Sequence, residues 1–290
     1  MARTPRRDEL LDEVGDHDAI ICQLPDPIDR AVFEAAAPRC KAIATCAVGY
    51  DNIDVAAARA HGIVVTNTPD VLTEATADLT WALLLATARR LGEAERFLRA
   101  GAWRGWGMLD FQGADVFGKK LGIVGAGRIG TAVARRARGF DMSVCYCARE
   151  NKKSIEELGA TRVALGELLE TSDFVSLHVP LTEETHHLLD AKALDRMKRG
   201  AILINTARGG VVDQVALIEA LREGRLAAVG LDVFDKEPAV PPELLSLSNA
   251  VLLPHIGSAT VSTRSKMAEI AAANVIAVLR GEPPLNPVQP

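Results

Sequence analysis

From about Gly118 onward, short and continuously apolar runs alternate with segments of helical spacing, and this alternation constrains the fold more than any other feature. The runs are Leu121–Val124, Val144–Tyr146, Phe174–His178, Ala201–Asn205, Ala227–Asp232 and Val251–Leu253. Between them lie Ile129–Arg138, Leu165–Leu169, Ala191–Met197 and Val215–Leu221, each with apolar residues at helical intervals. A strand apolar on every residue needs cover on both faces, and helices between successive strands supply it. The expected fold class is therefore α/β, with a doubly wound parallel sheet.

The first sixty-odd residues repeat the pattern on a smaller scale. Strand-like runs at Ala19–Leu24, Ala42–Thr45 and Ile63–Thr66 enclose helical stretches at Asp29–Ala36 and Val55–His61. A helix-rich stretch from Thr73 to Gly101 leads into the larger domain. The last helix, over about Ser262 to Arg280, stops at Gly281, Pro283 and Pro284, a common C-terminal signal. With 290 residues the chain exceeds what one core usually holds. Two domains are expected, residues 68–261 for the larger, and 1–67 plus 262–290 for a smaller, discontinuous one.

Composition removes several classes of function. A formal net charge of -5 with no long run of one sign argues against nucleic acid, whose binding needs clustered Lys and Arg. The most basic spot, Arg135, Arg136 and Arg138, reads as an exposed, solvated helix face. The longest apolar stretch, Trp81 to Ala88, is far short of the roughly 20 residues that cross a bilayer. No membrane association or secretory leader is expected, which implies a cytoplasmic location. Five cysteines (Cys22, Cys40, Cys46, Cys145, Cys147) are an odd number in apolar settings, as free thiols in a reducing compartment would be. Cys145 and Cys147 share a strand face and cannot form a metal knuckle, so no metal site is expected.

The first apolar run leads into Gly125-Ala126-Gly127-Arg128-Ile129-Gly130, a G-x-G-x-x-G that follows a strand and opens a helix. Gly125 permits a tight turn, Gly127 lets backbone approach a pyrophosphate, and Gly130 allows close helix–strand packing. The helix start adds free N–H groups and partial positive charge. This is the fingerprint of a Rossmann dinucleotide-binding domain. At the end of the second strand the chain reads Ala148-Arg149-Glu150. An acid in the first of these positions would hold a ribose 2′-hydroxyl, whereas a small residue followed by Arg accepts a 2′-phosphate. NADP(H) is therefore the preferred cofactor and NAD(H) remains possible, because a small loop shift would bring Glu150 to the ribose.

Ligands of open α/β sheets bind beyond the carboxyl ends of strands, and three segments with polar groups fall there: Asn205-Thr206-Ala207-Arg208-Gly209-Gly210, Asp232 to Pro238 with Glu237, and Pro254-His255-Ile256-Gly257-Ser258. With the glycine loop, these segments resemble the D-2-hydroxyacid dehydrogenase family, in the order Arg, Glu, His and in spacing. The resemblance spans nearly the whole chain and is greatest to the glyoxylate/hydroxypyruvate reductase branch, through Ala47–Asp54, Asn67–Asp78, Leu84–Arg90, Pro254–Thr260 and the Ala148-Arg149 pair. It implies reduction of a small 2-keto acid to the D-2-hydroxy acid.

Such chemistry needs a general acid, because hydride arriving at a keto carbon creates an alkoxide. His255 suits the task, since an imidazole titrates near neutral pH. Glu237 would charge and orient it, and Arg208 would offer a fork of donors to the substrate carboxylate and carbonyl. In the family's pattern, Val48 and Gly49 hold the substrate carboxylate by backbone N–H groups, Asp232 holds the nicotinamide carboxamide, and Thr76 faces the cofactor. The same pattern places Val179, Pro180, Thr206, Ala207, Arg208, His255 and Gly257 around it.

The resemblance also implies a flavodoxin-like small domain that here lacks the family's first elements, a substrate cleft between two lobes, and a homodimer joined through the Thr73–Gly101 helices. The loop from Trp103 to Phe117 is shorter than the family's. Two other readings keep the fold. One is an NAD-dependent enzyme for D-lactate, D-glycerate or phosphoglycerate. The other is a cofactor-sensing protein that binds partners and turns over no metabolite.

Overall fold

A computed structural model describes residues 5–288 and divides into two compact units, Met1–Leu72 with Ser258–Pro290, and Thr73–Gly257. The sequence boundaries lay a few residues away, at 67/68 and 261/262.

The smaller unit begins with helix α1 (Arg7–Val14), which the sequence reading did not anticipate. Then come β1 (Ala19–Cys22), α2 (Arg30–Ala36), β2 (Ala42–Thr45), α3 (Val55–Ala60) and β3 (Val64–Thr66). The three strands pair in parallel in the order β1-β2-β3. Asp29 and Asp54 start α2 and α3 by accepting the N–H groups of Val32 and Ala57, at 3.3 and 2.8 Å, which satisfies donors that a helix start leaves open. Val32, Phe33, Ile43, Ile28 and Ala58 are fully buried and form the core of this unit.

The larger unit opens with α4 (Thr73–Ala88) and α5 (Leu91–Arg99). It continues through β4 (Lys120–Val124), α6 (Arg128–Ala137), β5 (Ser143–Cys147), α7 (Lys153–Glu156), β6 (Thr161–Arg162), α8 (Leu165–Thr171), β7 (Phe174–Leu177) and α9 (Ala191–Arg196). The remaining elements are β8 (Ile202–Asn205), α10 (Gln214–Arg222), β9 (Ala228–Leu231), α11 (Pro242–Leu245) and β10 (Ala250–Leu252). Helix α12 (Val261–Leu279) then returns to the smaller unit and packs on β2 and β1. The seven strands of the larger unit form one parallel sheet in the order β10-β9-β8-β7-β4-β5-β6. The strand order reverses between β4 and β7, the kind of switch point at which doubly wound sheets bind dinucleotides.

All four residues of β7, β8 and β9 are buried, as continuously apolar strands require. One apolar cluster joins α8, α9 and α10 to one face of the sheet, and a second joins α4 and α6 to the other. On the second face Trp81 stacks on Phe140 with ring centroids 4.7 Å apart. Its indole N–H donates to the Val133 carbonyl at 3.0 Å.

The cationic run on α6 is not merely solvated. Arg135 and Arg136 reach Glu74 of α4 at 2.6 and 2.8 Å, and Arg136 reaches Asp78 at 2.6 Å. Those guanidiniums hold the Glu74 carboxyl below its ordinary range. The sequence shows one face of α6 but not the acidic face of α4 that lies against it.

Gly230 marks how closely α4 lies on β9. A Cβ there would sit 2.6 Å from Thr87 Oγ1, 2.8 Å from Leu83 Cγ and 2.9 Å from Ile204 Cδ1. Gly230→Ala is expected to destabilise the protein by about 1–3 kcal/mol through overpacking. The urea midpoint should fall at unchanged m value. An unchanged midpoint would mean that α4 lifts off the sheet at no cost.

Candidate active site

The glycine loop joins β4 to α6 at the switch point. Gly125 has a φ of 97°, and a Cβ there would lie 2.5 Å from the His178 carbonyl oxygen and 2.8 Å from Val179. A Cβ on Gly130 would lie 2.1 Å from the Gly125 carbonyl oxygen. On Gly127, at the N-cap of α6, a Cβ would meet nothing within 4 Å. Two of the glycines are thus demanded by the protein's own backbone, and the third leaves open space in front of a helix N-terminus. That arrangement fits a pyrophosphate. Ala126 is buried and Ile129 half-buried beside it, while Val179 and Pro180 follow β7 on the other side of the switch point.

At the end of β5, Arg149 and Glu150 are exposed and Ala148 is half-buried. Glu150 is ion-paired to Lys152, whose charge holds that carboxyl below its usual range. The Lys152 N–H is in turn taken by the Tyr146 hydroxyl at 3.0 Å. Arg162 of β6 donates to the carbonyls of Ala148 and Arg149, both at 2.9 Å, and to Asn151 Oδ1 at 3.0 Å.

Three further strand ends converge on the reactive groups. After β8, Asn205 Nδ2 donates to the Arg208 carbonyl at 2.9 Å, and Asn205 Oδ1 accepts the Ala207 N–H at 3.0 Å. The buried Asn205 thereby folds the turn that carries Thr206, Ala207 and Arg208. The Thr206 hydroxyl lies 2.8 Å from that of Thr80 on α4. Thr80 is fully buried and also donates to the Thr76 carbonyl at 2.8 Å. Next to Arg208, a Cβ on Gly209 would fall 1.9 Å from the Phe234 carbonyl carbon. This contact presses the loops after β8 and β9 together and leaves the Arg208 charge felt at Glu237.

Asp232, after β9, is 1% exposed. Its two carboxylate oxygens accept the N–H groups of Ile256 and Gly257, each at 2.8 Å. Its carbonyl accepts the His255 N–H at 2.9 Å. His255 itself adopts a left-handed φ of 53°, which an L-residue holds only when its surroundings compel it. Asp232 therefore clamps the turn that presents His255. Burial raises the Asp232 carboxyl above its ordinary range, outweighing the lowering by those two N–H groups and by His255. Thr76, buried on α4, flanks the same turn, with Oγ1 3.5 Å from where a Cβ on Gly257 would sit.

Glu237 connects the remaining pieces. One carboxylate oxygen accepts the Phe234 N–H at 3.0 Å and the other meets His255 Nδ1 at 2.7 Å. Burial pushes the carboxyl up, but His255, the Phe234 N–H and Arg208 together bring it below its ordinary range. An ionised carboxylate can only accept, so Nδ1 carries a proton and Nε2 is left to the site. His178, after β7, is a different kind of histidine. Its Nε2 lies 2.8 Å from Ser176 Oγ, and burial pulls its pKa to about 3, so it stays neutral.

On the smaller unit, Val48 and Gly49 are half-buried in the loop after β2. Asn67 Nδ2 donates to the Val48 carbonyl at 2.8 Å, and the Thr68 N–H donates to the Ala47 carbonyl at 2.9 Å.

The glycine loop, Arg208, Glu237, Asp232 and His255 all fall at the carboxyl edge of the larger sheet, where the sequence reading put them. Asn205, Thr80 and Arg162 were missed as positioning groups. For Asn205, its place directly before the Thr-Ala-Arg turn was a usable signal, since Asn side chains commonly organise such turns.

The family profile described as D-isomer specific 2-hydroxyacid dehydrogenase, NAD binding domain, matches residues 81–257. The chain is 55% identical over 283 residues to a glyoxylate reductase of Thermococcus onnurineus, covering 96% of this chain and 84% of the relative. Its structure is similar to that of the TT0316 protein of Thermus thermophilus, with a TM-score of 0.93 and 51% identity, covering 99% of this chain and 91% of that one. It is also similar to an NADPH-dependent glyoxylate/hydroxypyruvate reductase of Sinorhizobium meliloti, solved with NADP and malonate. There the TM-score is 0.85 and the identity 39%, covering 95% of this chain and 85% of that one. With a nicotinamide-domain profile spanning more than half its length and relatives of such identity, the chain belongs to the D-isomer specific 2-hydroxyacid dehydrogenase family.

Proposed function

We propose that this protein reduces a small 2-keto acid, glyoxylate or hydroxypyruvate, to the D-2-hydroxy acid, using NADPH in preference to NADH. The observation that carries the reading is the 2.7 Å contact between His255 Nδ1 and a Glu237 carboxylate that is itself held on the Phe234 N–H. It fixes the imidazole with Nε2 free to give a proton. Two of the relatives described above are reductases of these acids, and the Sinorhizobium reductase was solved with NADP.

In this reading Gly125 to Gly130, Thr76, Val179, Pro180, Thr206, Ala207, Asp232 and Gly257 surround the dinucleotide. When bound, its reduced nicotinamide supplies a hydride to the keto carbon. His255 Nε2 protonates the carbonyl oxygen as charge develops on it, and Glu237 stabilises the imidazolium before that transfer. Arg208 holds the carboxylate and carbonyl by charge-assisted hydrogen bonds. The NADPH preference is supported by Arg149 at the end of β5 and by the pairing of Glu150 with Lys152, which leaves that carboxylate poorly placed to select a ribose hydroxyl.

The same reading includes a homodimer in a reducing cytosol. Free thiols at all five cysteines suit that compartment. Half of α4 is absorbed into the unit's own core, so the pairing surface narrows to α5 and the loop after it. No residue of α5 is buried. Leu98 is 59% exposed, and Trp106, Met108 and Leu109 are each more than three-quarters exposed, a concentration of apolar surface typical of an interface.

Absorbance of the reduced nicotinamide should fall rapidly with NADPH and either acid, and His255→Ala should lower kcat about 100- to 10,000-fold while cofactor affinity is kept. A kcat unchanged in that variant would remove His255 as the acid. Arg149→Asp should move the NADPH-to-NADH ratio of kcat/KM towards NADH by about tenfold or more, and an unmoved ratio would assign the choice elsewhere. Leu98→Asp should halve the mass measured by light scattering. A wild type that is already monomeric would end the dimer reading.

A further inference from the structure

We infer that Arg162 is a positioning residue for cofactor choice, turning the β5 loop so that it presents two backbone N–H groups and the Arg149 side chain to a ribose 2′-phosphate. This deepens the NADPH reading above and rests on it.

The argument is geometric. Arg162 lies on β6, the edge strand beyond β5, which consists of only two residues. Its Nη2 donates to the Ala148 carbonyl and to the Arg149 carbonyl, both at 2.9 Å. Nε adds a second bond to Ala148 at 3.2 Å, and Nη1 reaches Asn151 Oδ1 at 3.0 Å. Two successive carbonyls therefore converge on one guanidinium. The peptide bonds that follow Ala148 and Arg149 are trans, so each amide N–H points opposite to the carbonyl of its own peptide unit. The N–H groups of Arg149 and Glu150 must then both face away from Arg162. Among the described residues no backbone or side-chain group accepts from either. Adjacent amides turned to one side form a concavity suited to an anion, and the exposed Arg149 side chain belongs to the same loop.

The other end of the loop is held as firmly. Tyr146 is fully buried, and its hydroxyl accepts the Lys152 N–H at 3.0 Å while donating to Glu156 at 2.7 Å. Lys152 pairs with Glu150 and so offsets the charge of the loop's acidic side chain. Arg162, Tyr146 and Lys152 together make a loop whose conformation is fixed before any ligand arrives. A preorganised site loses less entropy on binding than one that must order itself. Arg162 contributes by shape more than by charge: four of its five N–H groups are committed to the loop, and only a planar fork can hold both carbonyls and Asn151 at once.

The test uses the full-length protein and two probes, 2′,5′-ADP and 5′-AMP, titrated by calorimetry against wild type, Arg162→Gln, Arg162→Lys and Arg149→Gln. Wild type should bind 2′,5′-ADP more tightly than 5′-AMP. Arg162→Gln should cut that ratio about tenfold, the equivalent of one charge-assisted hydrogen bond. Arg162→Lys should fall nearly as far, because an ammonium keeps the charge but cannot hold the fork; it also carries the test should the Gln variant fail to fold. A wild-type ratio retained in Arg162→Gln, alongside a large loss in Arg149→Gln, would overturn this inference and leave the NADPH reading standing. Full retention in Arg162→Lys with loss in Arg162→Gln would also overturn it, by making the effect one of charge. Equal binding of the two probes by wild type would overturn the NADPH reading and this inference with it.

Discussion

Burying both faces of the seven-stranded parallel sheet drives the polar chemistry of the larger unit to its edges. Inside the sheet each interior strand is paired in parallel on both sides, and all four residues of β7, β8 and β9 are buried, most of them apolar. Beyond the last residues of β4, β5, β7, β8, β9 and β10 the chain carries polar groups that can meet a solute. The glycine loop, the Ala148–Asn151 loop, the Asn205–Arg208 turn and the Asp232–Glu237 loop share one edge because parallel strands all end on the same side.

What keeps that edge ordered is a small set of buried polar groups, and Asp232 is central among them. A buried carboxylate is costly unless its oxygens are hydrogen-bonded. Here both oxygens accept backbone N–H groups of the turn at Ile256 and Gly257. The cost persists in part, since burial leaves the carboxyl above its ordinary range in spite of those bonds. In exchange, the positive φ of His255 is imposed. Asn205 and Thr80 act in the same way on a smaller scale, each tying a turn of the active edge to an element already fixed by the core.

How much of this was legible in the sequence follows from the range of each interaction. Continuous apolar runs located six of the seven strands of the large sheet, because burial on both faces is written into consecutive residues. Strand β6 was missed: two exposed residues, Thr161 and Arg162, carry no apolar pattern. Helix α1 was missed for a similar reason, since it buries only Val14. The glycines were legible because their conformations are local, and Arg208, Glu237 and His255 because each follows an apolar run. The hold of Arg162 on the 148–151 loop, the link from Thr80 to Thr206 across 126 positions, and the pairing of Arg135 and Arg136 with Glu74 and Asp78 join segments whose approach the fold alone decides.

The Glu237–His255 pair also gives the two ring nitrogens of His255 different surroundings. Both Glu237 oxygens are occupied, by the Phe234 N–H and by His255 Nδ1, and its carboxyl is held below its ordinary range. It is thus a weak proton donor and a fixed acceptor. A carboxylate in that state accepts from Nδ1 and fixes the ring, so that a proton passed to a solute would leave from Nε2. His178, also at this edge, loses basicity through burial, and its Nε2 lies 2.8 Å from the Ser176 hydroxyl. Glu237 fixes the ring of His255 through Nδ1, whereas burial keeps His178 neutral.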